Sequence, residues 1–311
     1  MRAIRTVRAD ARLVQTEDLG KTFSTPHLSY QADLENERRW LSLDLLCGRV
    51  DRKHPWHEIL VNHGIREEEL ELFLEGDCAP DIIGINHYLT SERYLDERTE
   101  LYPEWSHGGN YRDRYADVEA VRVDLPADEL GPKSRLSEAW ERYRRPIAVT
   151  EAHHGSTRDE QVRWLMEVWS AAEDLRATGQ DIRAVTVWSL FGAVDWNSLL
   201  VRTSGFYEPG AFDIRGPRPR RTAIGTAAAS LAKTGAFDHP VLDRHGWWRR
   251  DERYYHPSKP ACPPRRSLAR RLLITGATGT LGRGFARICA SRGLPMSFSP
   301  APRWTSPTRR R

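Results

Sequence analysis

The sequence predicts an α/β protein: a parallel sheet with helical crossovers, followed by a second and much smaller α/β unit. Three observations predict it. Four short apolar runs, near residues 12–17, 81–87, 146–150 and 184–190, alternate with stretches of helical periodicity. Such alternation argues for parallel strands joined by helices. A further apolar run at Leu272-Leu-Ile-Thr275 enters a glycine turn and leaves it as another helical segment.

Taken in order, residues 2–9 read as the end of a helix, and Ala11-Arg-Leu-Val-Gln-Thr-Glu17 as a strand that Gly20 closes off. Trp40, Leu41, Leu43, Leu45 and Leu46 suggest a helix over 32–47. Helices are also expected at 56–62 and 66–75; Glu67, Glu68 and Glu69 would sit in a first turn, where the helix dipole favours negative charge. Asp81-Ile-Ile-Gly-Ile-Asn-His-Tyr88 reads as a buried strand with a polar end. Residues 91–135, with Gly108-Gly109, read as a long irregular stretch. A helix over 136–144 leads into Arg145-Pro-Ile-Ala-Val-Thr-Glu151. Thr157 and Glu160 have the spacing of a capping box for a helix to about 177, with Gly179 as its stop. Ala184-Val-Thr-Val-Trp-Ser-Leu190 is the fourth strand, and 219–233 the last helix of the body.

Charge divides the chain. Residues 244–311 hold 16 Lys and Arg but 2 Asp and Glu, whereas the remainder holds 31 bases and 41 acids. A basic segment can attract nucleic acid, but no nucleic-acid-binding motif accompanies it, so a linker rich in Arg and Pro is expected. No window approaches the roughly 18 apolar residues of a membrane span. Met1-Arg-Ala-Ile-Arg-Thr-Val-Arg has no apolar core of a secretion signal. Cys47, Cys78, Cys262 and Cys289 are widely spaced, which fits free thiols and a cytoplasmic location. His153-His154 invites a metal reading, but neighbours on an extended segment point apart.

Chemistry is expected where the strands end. Those ends offer Glu17 and Asp18, then Asn86, His87 and Tyr88, then Glu151, then Trp188. A carboxylate beside a phenol and an indole is what a sugar site needs: the carboxylate attacks the anomeric carbon, the phenol orients it, the indole stacks on the ring. Asp81-Ile-Ile-Gly-Ile-Asn-His-Tyr-Leu-Thr90, the Thr150-Glu151 segment and the Trp188-Ser189 segment resemble the last barrel strands of glycoside hydrolase family 1, the β-glucosidase-like enzymes. The resemblance covers roughly residues 1–232. It implies a partial (β/α)8 (TIM) barrel containing strands five to eight. It implies Glu151 as nucleophile, Tyr88 as its hydrogen-bonding partner, and Asn86, Trp188, Asp195 and Trp196 as sugar contacts. No cofactor is implied for this part.

The sequence departs from that pattern in three ways. Ala152-His153 stands where the family has Asn-Gly after the nucleophile, and Asp195 where it has Glu. The family's Asn-Glu-Pro motif, which carries the acid/base on strand four, does not occur in this sequence. An incomplete site with little turnover is therefore expected, as is a partner in the form of a complementary barrel half or a second copy. Glu17 could replace the acid/base; the plainer expectation is a polar strand-end residue. Sugar binding without catalysis is the alternative from a different class.

Thr275-Gly276-Ala-Thr-Gly279-Thr-Leu-Gly282 fits Gly-x-x-Gly-x-x-Gly between a strand and a helix, a context in which backbone can approach a pyrophosphate. The segment 271–294 resembles the start of extended short-chain dehydrogenases/reductases, the dTDP-4-dehydrorhamnose reductases among them. It implies a truncated Rossmann βα unit for NAD(P), with Gly276, Gly279 and Gly282 against the cofactor. No acidic residue follows at about 20 residues to hold a ribose, and the Tyr-x-x-x-Lys pair of that family is absent. Useful NAD(P) binding is therefore not expected. The expected organisation is a barrel part over 1–237, a basic linker over 238–270, the truncated unit over 271–294 and a disordered tail over 295–311.

Overall fold

A computed structural model describes residues 2–75, 78–198, 201–256, 271–276 and 278–299. They belong to two compact units, Met1–Pro257 and Ser258–Arg311.

In the larger unit, strands β1 (Val14–Glu17), β2 (Ile82–Asn86), β3 (Ile147–Ala152) and β4 (Ile182–Val187) form one sheet in that order. Every neighbouring pair is parallel. Chain order equals sheet order, so each crossover advances one place, as in a (β/α) barrel. The α/β fold with a parallel sheet stands as the sequence predicts, with strand limits displaced by a few residues.

Side chains alternate across the sheet. Ile83, Ile85, Ile147 and Val149 share a buried core with three helices: α1 (Pro132–Tyr143), α2 (Arg158–Ala177) and α3 (Ala223–Thr234). Each helix offers an apolar stripe: Leu136 and Ala139, then Val162, Leu165 and Val168, then Ile224, Ala227 and Leu231. Thr16, Gly84, Ala148 and Ala184 make an in-register row across all four strands. They are on the opposite face, where a Cβ on Gly84 would stand 2.7 Å from Thr16 Cγ2 and 2.9 Å from Thr150 Cγ2. Among the described residues, β1 and β4 each have one strand neighbour, so both sheet edges are bare.

Four expectations need correction. Residues 91–135 are not one irregular stretch. Arg93–Asp96, His107–Gly109 and Arg114–Glu119 join Thr22–Ser24 in a second four-stranded sheet. Its strands are short and charged, which hid the alternation that buries Ala116 and Val118.

The region from 238 to 256 is not a free linker but a strap on the body. It makes short 3-10 turns at Pro240–Asp243, Trp247–Arg249 and Asp251–Arg253. Trp248 is 2% exposed and meets Trp164 edge-on at 5.5 Å. Its indole N–H donates to Glu167 at 2.6 Å, and Arg250 donates to Glu160 at 2.8 Å. Glu160 and Glu167 are two turns apart on α2, hence on one face. This also revises the capping box: Thr157 Oγ1 accepts from the Glu160 N–H at 3.4 Å, but the Glu160 carboxylate goes to the strap. Of the expected linker, 257–270 lies outside the described residues.

In the smaller unit, a strand (Leu272–Thr275) and a helix (Thr280–Ser291) are followed by a second strand, Met296–Ser299, parallel to the first. The tail is thus ordered to Ser299, completing a β-α-β unit where the sequence suggested a break; 300–311 lies outside the described residues. No helix among the described residues is long and apolar enough to cross a membrane.

Candidate functional site

Glu151 lies near the C-terminal end of β3, in register with Asn86 at the end of β2. An irregularity between Ile85 and Asn86 breaks the simple pairing there. Thr150 Oγ1 donates to Asn86 Oδ1 at 2.5 Å, tying the two strand ends together. Tyr88, two residues past Asn86, donates its hydroxyl to Glu151 Oε2. Burial, then the bond and charge of Glu151, push the Tyr88 phenol well above its ordinary range, so it stays a donor at neutral pH. Tyr88 is also tied locally, its backbone N–H donating to Ser91 Oγ at 2.9 Å while Ser91 donates to Asp18 at 2.7 Å.

Trp188 follows β4, its backbone N–H donating to the Ala152 carbonyl at 3.3 Å. Its ring stands 5.7 Å from that of Trp196, and Trp196 is 48% exposed. Glu151, Tyr88 and Asn86 are thus directly connected, and Trp188 and Trp196 form a neighbouring aromatic pair. Asp195 has another occupation. Its carboxylate accepts from Ser204 Oγ (2.6 Å), Phe206 N (2.9 Å), Ser204 N and Gly205 N (both 3.2 Å). Those donors, Ser204 first, hold it below the usual carboxylate range, and it clamps its own loop. Glu17 is in register with Ile85, so it lies on the side of Ile83 and Ile85 rather than that of Thr16 and Gly84.

The paired histidines part as extended geometry requires. His153 Nδ1 is 3.1 Å from the Trp188 carbonyl and its Nε2 3.1 Å from Glu208. His154 Nε2 instead accepts from the Trp247 indole at 3.0 Å. Among the described residues, no three His, Cys, Asp or Glu side chains gather as a metal site. Cys47, Cys78 and Cys289 are free. Glu208, in Phe206-Tyr-Glu-Pro-Gly210, is a site neighbour that the sequence reading missed; nothing in its local pattern marks it.

His87 turns away from Tyr88 into a cavity lined by Leu89, Glu92, Trp164 and Trp248. Burial, with the charges of Arg135 and Arg39, lowers its pKa to about 3; burial likewise lowers His154 to about 4. The unfolded chain binds protons at both positions below about pH 6.5, while the folded chain does not until the lowered values are reached. Stability is therefore expected to fall as pH drops from about 6.5 towards 4. Urea unfolding at pH 7 and pH 4.5 checks this, and His87→Phe should flatten the dependence; an equal slope in the variant would refute His87's part.

In the smaller unit Gly276 has φ +66°, and a Cβ there would meet nothing within 4 Å. Gly279 precedes the helix as its N-cap and donates its N–H to the Gly276 carbonyl at 3.0 Å; Gly282 is buried in the first turn. The described residues of the unit include no carboxylate that could hold a ribose.

The larger unit is, by its wiring, a portion of a (β/α) barrel with a carboxylate, a phenol and indoles at its strand ends. The comparisons agree with that class. β-Glucosidase 47 of Arabidopsis thaliana is 26% identical over 178 residues, which are 54% of this chain and 32% of that protein. The chain thus spans about a third of the length of that curated relative. A β-glucosidase from Thermotoga maritima, solved in complex with noeuromycin, matches with a TM-score of 0.53 at 15% identity, over 76% of this chain and 54% of that one. The Thermotoga maritima family 1 β-glucosidase matches at 0.52 and 16%, over 76% and 53%. At these identities the solved structures establish the fold: an α/β body whose parallel sheet matches part of a β-glucosidase barrel. No protein-family profile matches the chain.

Proposed function

We propose that the larger unit carries part of a family 1-type glycoside site, with Glu151 as the nucleophile of a retaining reaction and Tyr88 as the residue that holds it. The observation carrying this reading is the Tyr88–Glu151 hydrogen bond, with Asn86 in register beside it and Trp188 at the next strand end. Glu151 would attack the anomeric carbon and displace the aglycone; water would then release the sugar with net retention. Asn86, Trp188 and Trp196 are the residues proposed to touch sugar, whereas Asp195 is kept by its loop. The second carboxyl of the reaction has no assigned residue, so unactivated glycosides are expected to turn over slowly or not at all.

The test is a 2-deoxy-2-fluoro-glycoside with a good leaving group, which departs without an acid's proton. Its glycosyl mass should appear on the peptide containing Glu151. Saturable binding of an iminosugar without labelling would favour the second reading, a non-catalytic sugar-binding module, which the half-exposed Trp196 beside Trp188 supports.

The two bare edges also support a complementary four-stranded half, from this protein or another chain, as partner. The glycine turn of the smaller unit is proposed as a phosphate-type turn with no complete dinucleotide site. Titration with NADPH, followed by nicotinamide fluorescence, is expected to show no saturable binding; a micromolar curve would instead favour an NAD(P)-dependent reductase unit, as the resemblance of 271–294 implies.

A further inference from the structure

His153 occupies a joint between four parts of the site. It follows Glu151 by two residues and is 9% exposed. Its ring meets Trp188 edge-on at 4.9 Å and Tyr88 at 6.5 Å. Both atoms facing its nitrogens accept hydrogen bonds: the Trp188 carbonyl at Nδ1 and a Glu208 carboxylate oxygen at Nε2, each at 3.1 Å.

Glu208 is held from a second side, accepting from Gln161 Nε2 of α2 at 3.0 Å. It stands on the short strand Tyr207–Glu208, which pairs antiparallel with Ala193–Val194. That hairpin leads into Asp195 and Trp196, and the Asp195 carboxylate closes its loop at residues 204–206. The approach is tight: a Cβ on Gly192 would stand 2.0 Å from the Glu208 carbonyl oxygen. Apart from Glu208, the ionisable groups around His153 are Glu151 on its own strand, Tyr88, and His154, whose own proton affinity is lowered in part by His153.

We propose that His153 and Glu208 form a positioning pair that docks the 193–208 hairpin onto the end of β3 and so sets the Trp188–Trp196 aromatic platform. The inference deepens the carbohydrate reading and rests on it only for what the platform binds. The pair crosses from the strand end bearing Glu151 to the hairpin bearing Trp196, and the same imidazole fixes the Trp188 carbonyl. Without it, the segment after β4 and the hairpin would keep the Ser189–Gly192 hydrogen bond but lose the side-chain link through His153.

The two rings, 5.7 Å apart, should give an exciton couplet in circular dichroism, and Trp196→Phe identifies the part of the signal they contribute. His153→Ala and Glu208→Ala should each remove at least half of that part. Neither should lower it further in the Trp196→Phe background. His153→Leu and Glu208→Leu, which fill the space without a hydrogen-bonding group, give the same reading should either alanine variant fail to fold. Binding of deoxynojirimycin, followed by tryptophan fluorescence, should weaken at least tenfold in the folded variants. An unchanged couplet in folded His153 and Glu208 variants would overturn the proposal. The couplet is read without ligand, so a failure of the unsubstituted protein to bind iminosugar counts against the carbohydrate reading alone.

Discussion

Glu151→Gln is expected to abolish covalent capture of a fluorinated glycoside and to lower any hydrolysis of activated aryl glycosides by at least about a thousandfold. The substitution keeps size and shape, and the amide oxygen can still accept the Tyr88 hydroxyl, so the fold should persist. What disappears is the oxygen proposed as the nucleophile. Tyr88→Phe should cost less, on the order of tenfold to a hundredfold, because it removes an orienting bond and leaves the carboxylate. Mass spectrometry of the labelled protein and initial rates with an aryl glycoside measure both. Undiminished labelling of the Gln variant would place the nucleophile elsewhere and dismiss the assignment.

Trp248→Ala is expected to destabilise the larger unit by about 3–5 kcal/mol, the range for truncating a buried Trp. Its ring is enclosed by Trp164, His154 and Trp247, and its N–H is paired with Glu167. Removing it leaves a cavity and takes one hydrogen bond from Glu167, which keeps its ion pair with Arg249. For a body of this size each kcal/mol moves the melting temperature by roughly 2–4 °C, so a fall of about 6–20 °C should appear by calorimetry. Trp248→Phe should recover part of it. A change of less than about 2 °C would mean that the strap adds nothing to the folded body.

The legible parts of this molecule are those where one local signal settles the matter. The strands at 82–86 and 147–152 carry β-branched runs with polar ends, and the wiring followed from their alternation with helices. Glu151 and Tyr88 were readable as a pair because the motif fixes both strand ends. The strap was not readable, because Trp247-Trp248 among arginines has the composition of a linker; burial came from Glu160 and Glu167, some 80 residues earlier. Asp195 misled for the opposite reason. Its place in the motif suggested sugar, while in the structure its carboxylate takes the Ser204 hydroxyl and the backbone N–H groups of a loop about ten residues on, which no spacing rule announces. Glu208 was invisible for the same cause: its partner His153 arrives from a different strand.

The row Thr16, Gly84, Ala148 and Ala184 bears on which partner could fit the open sheet. The centre of a closed barrel is filled by layers of side chains drawn from strands all round it. Four small residues on this arc occupy little of their layer, so the filling would have to come from across the axis. A second copy would bring the same four small residues and leave a hollow, costing about 24 cal/mol for each Å³ left empty. A complement carrying large branched residues at that level would fill it. If a complementary half closes this sheet as proposed, the row favours an unlike half over a second copy.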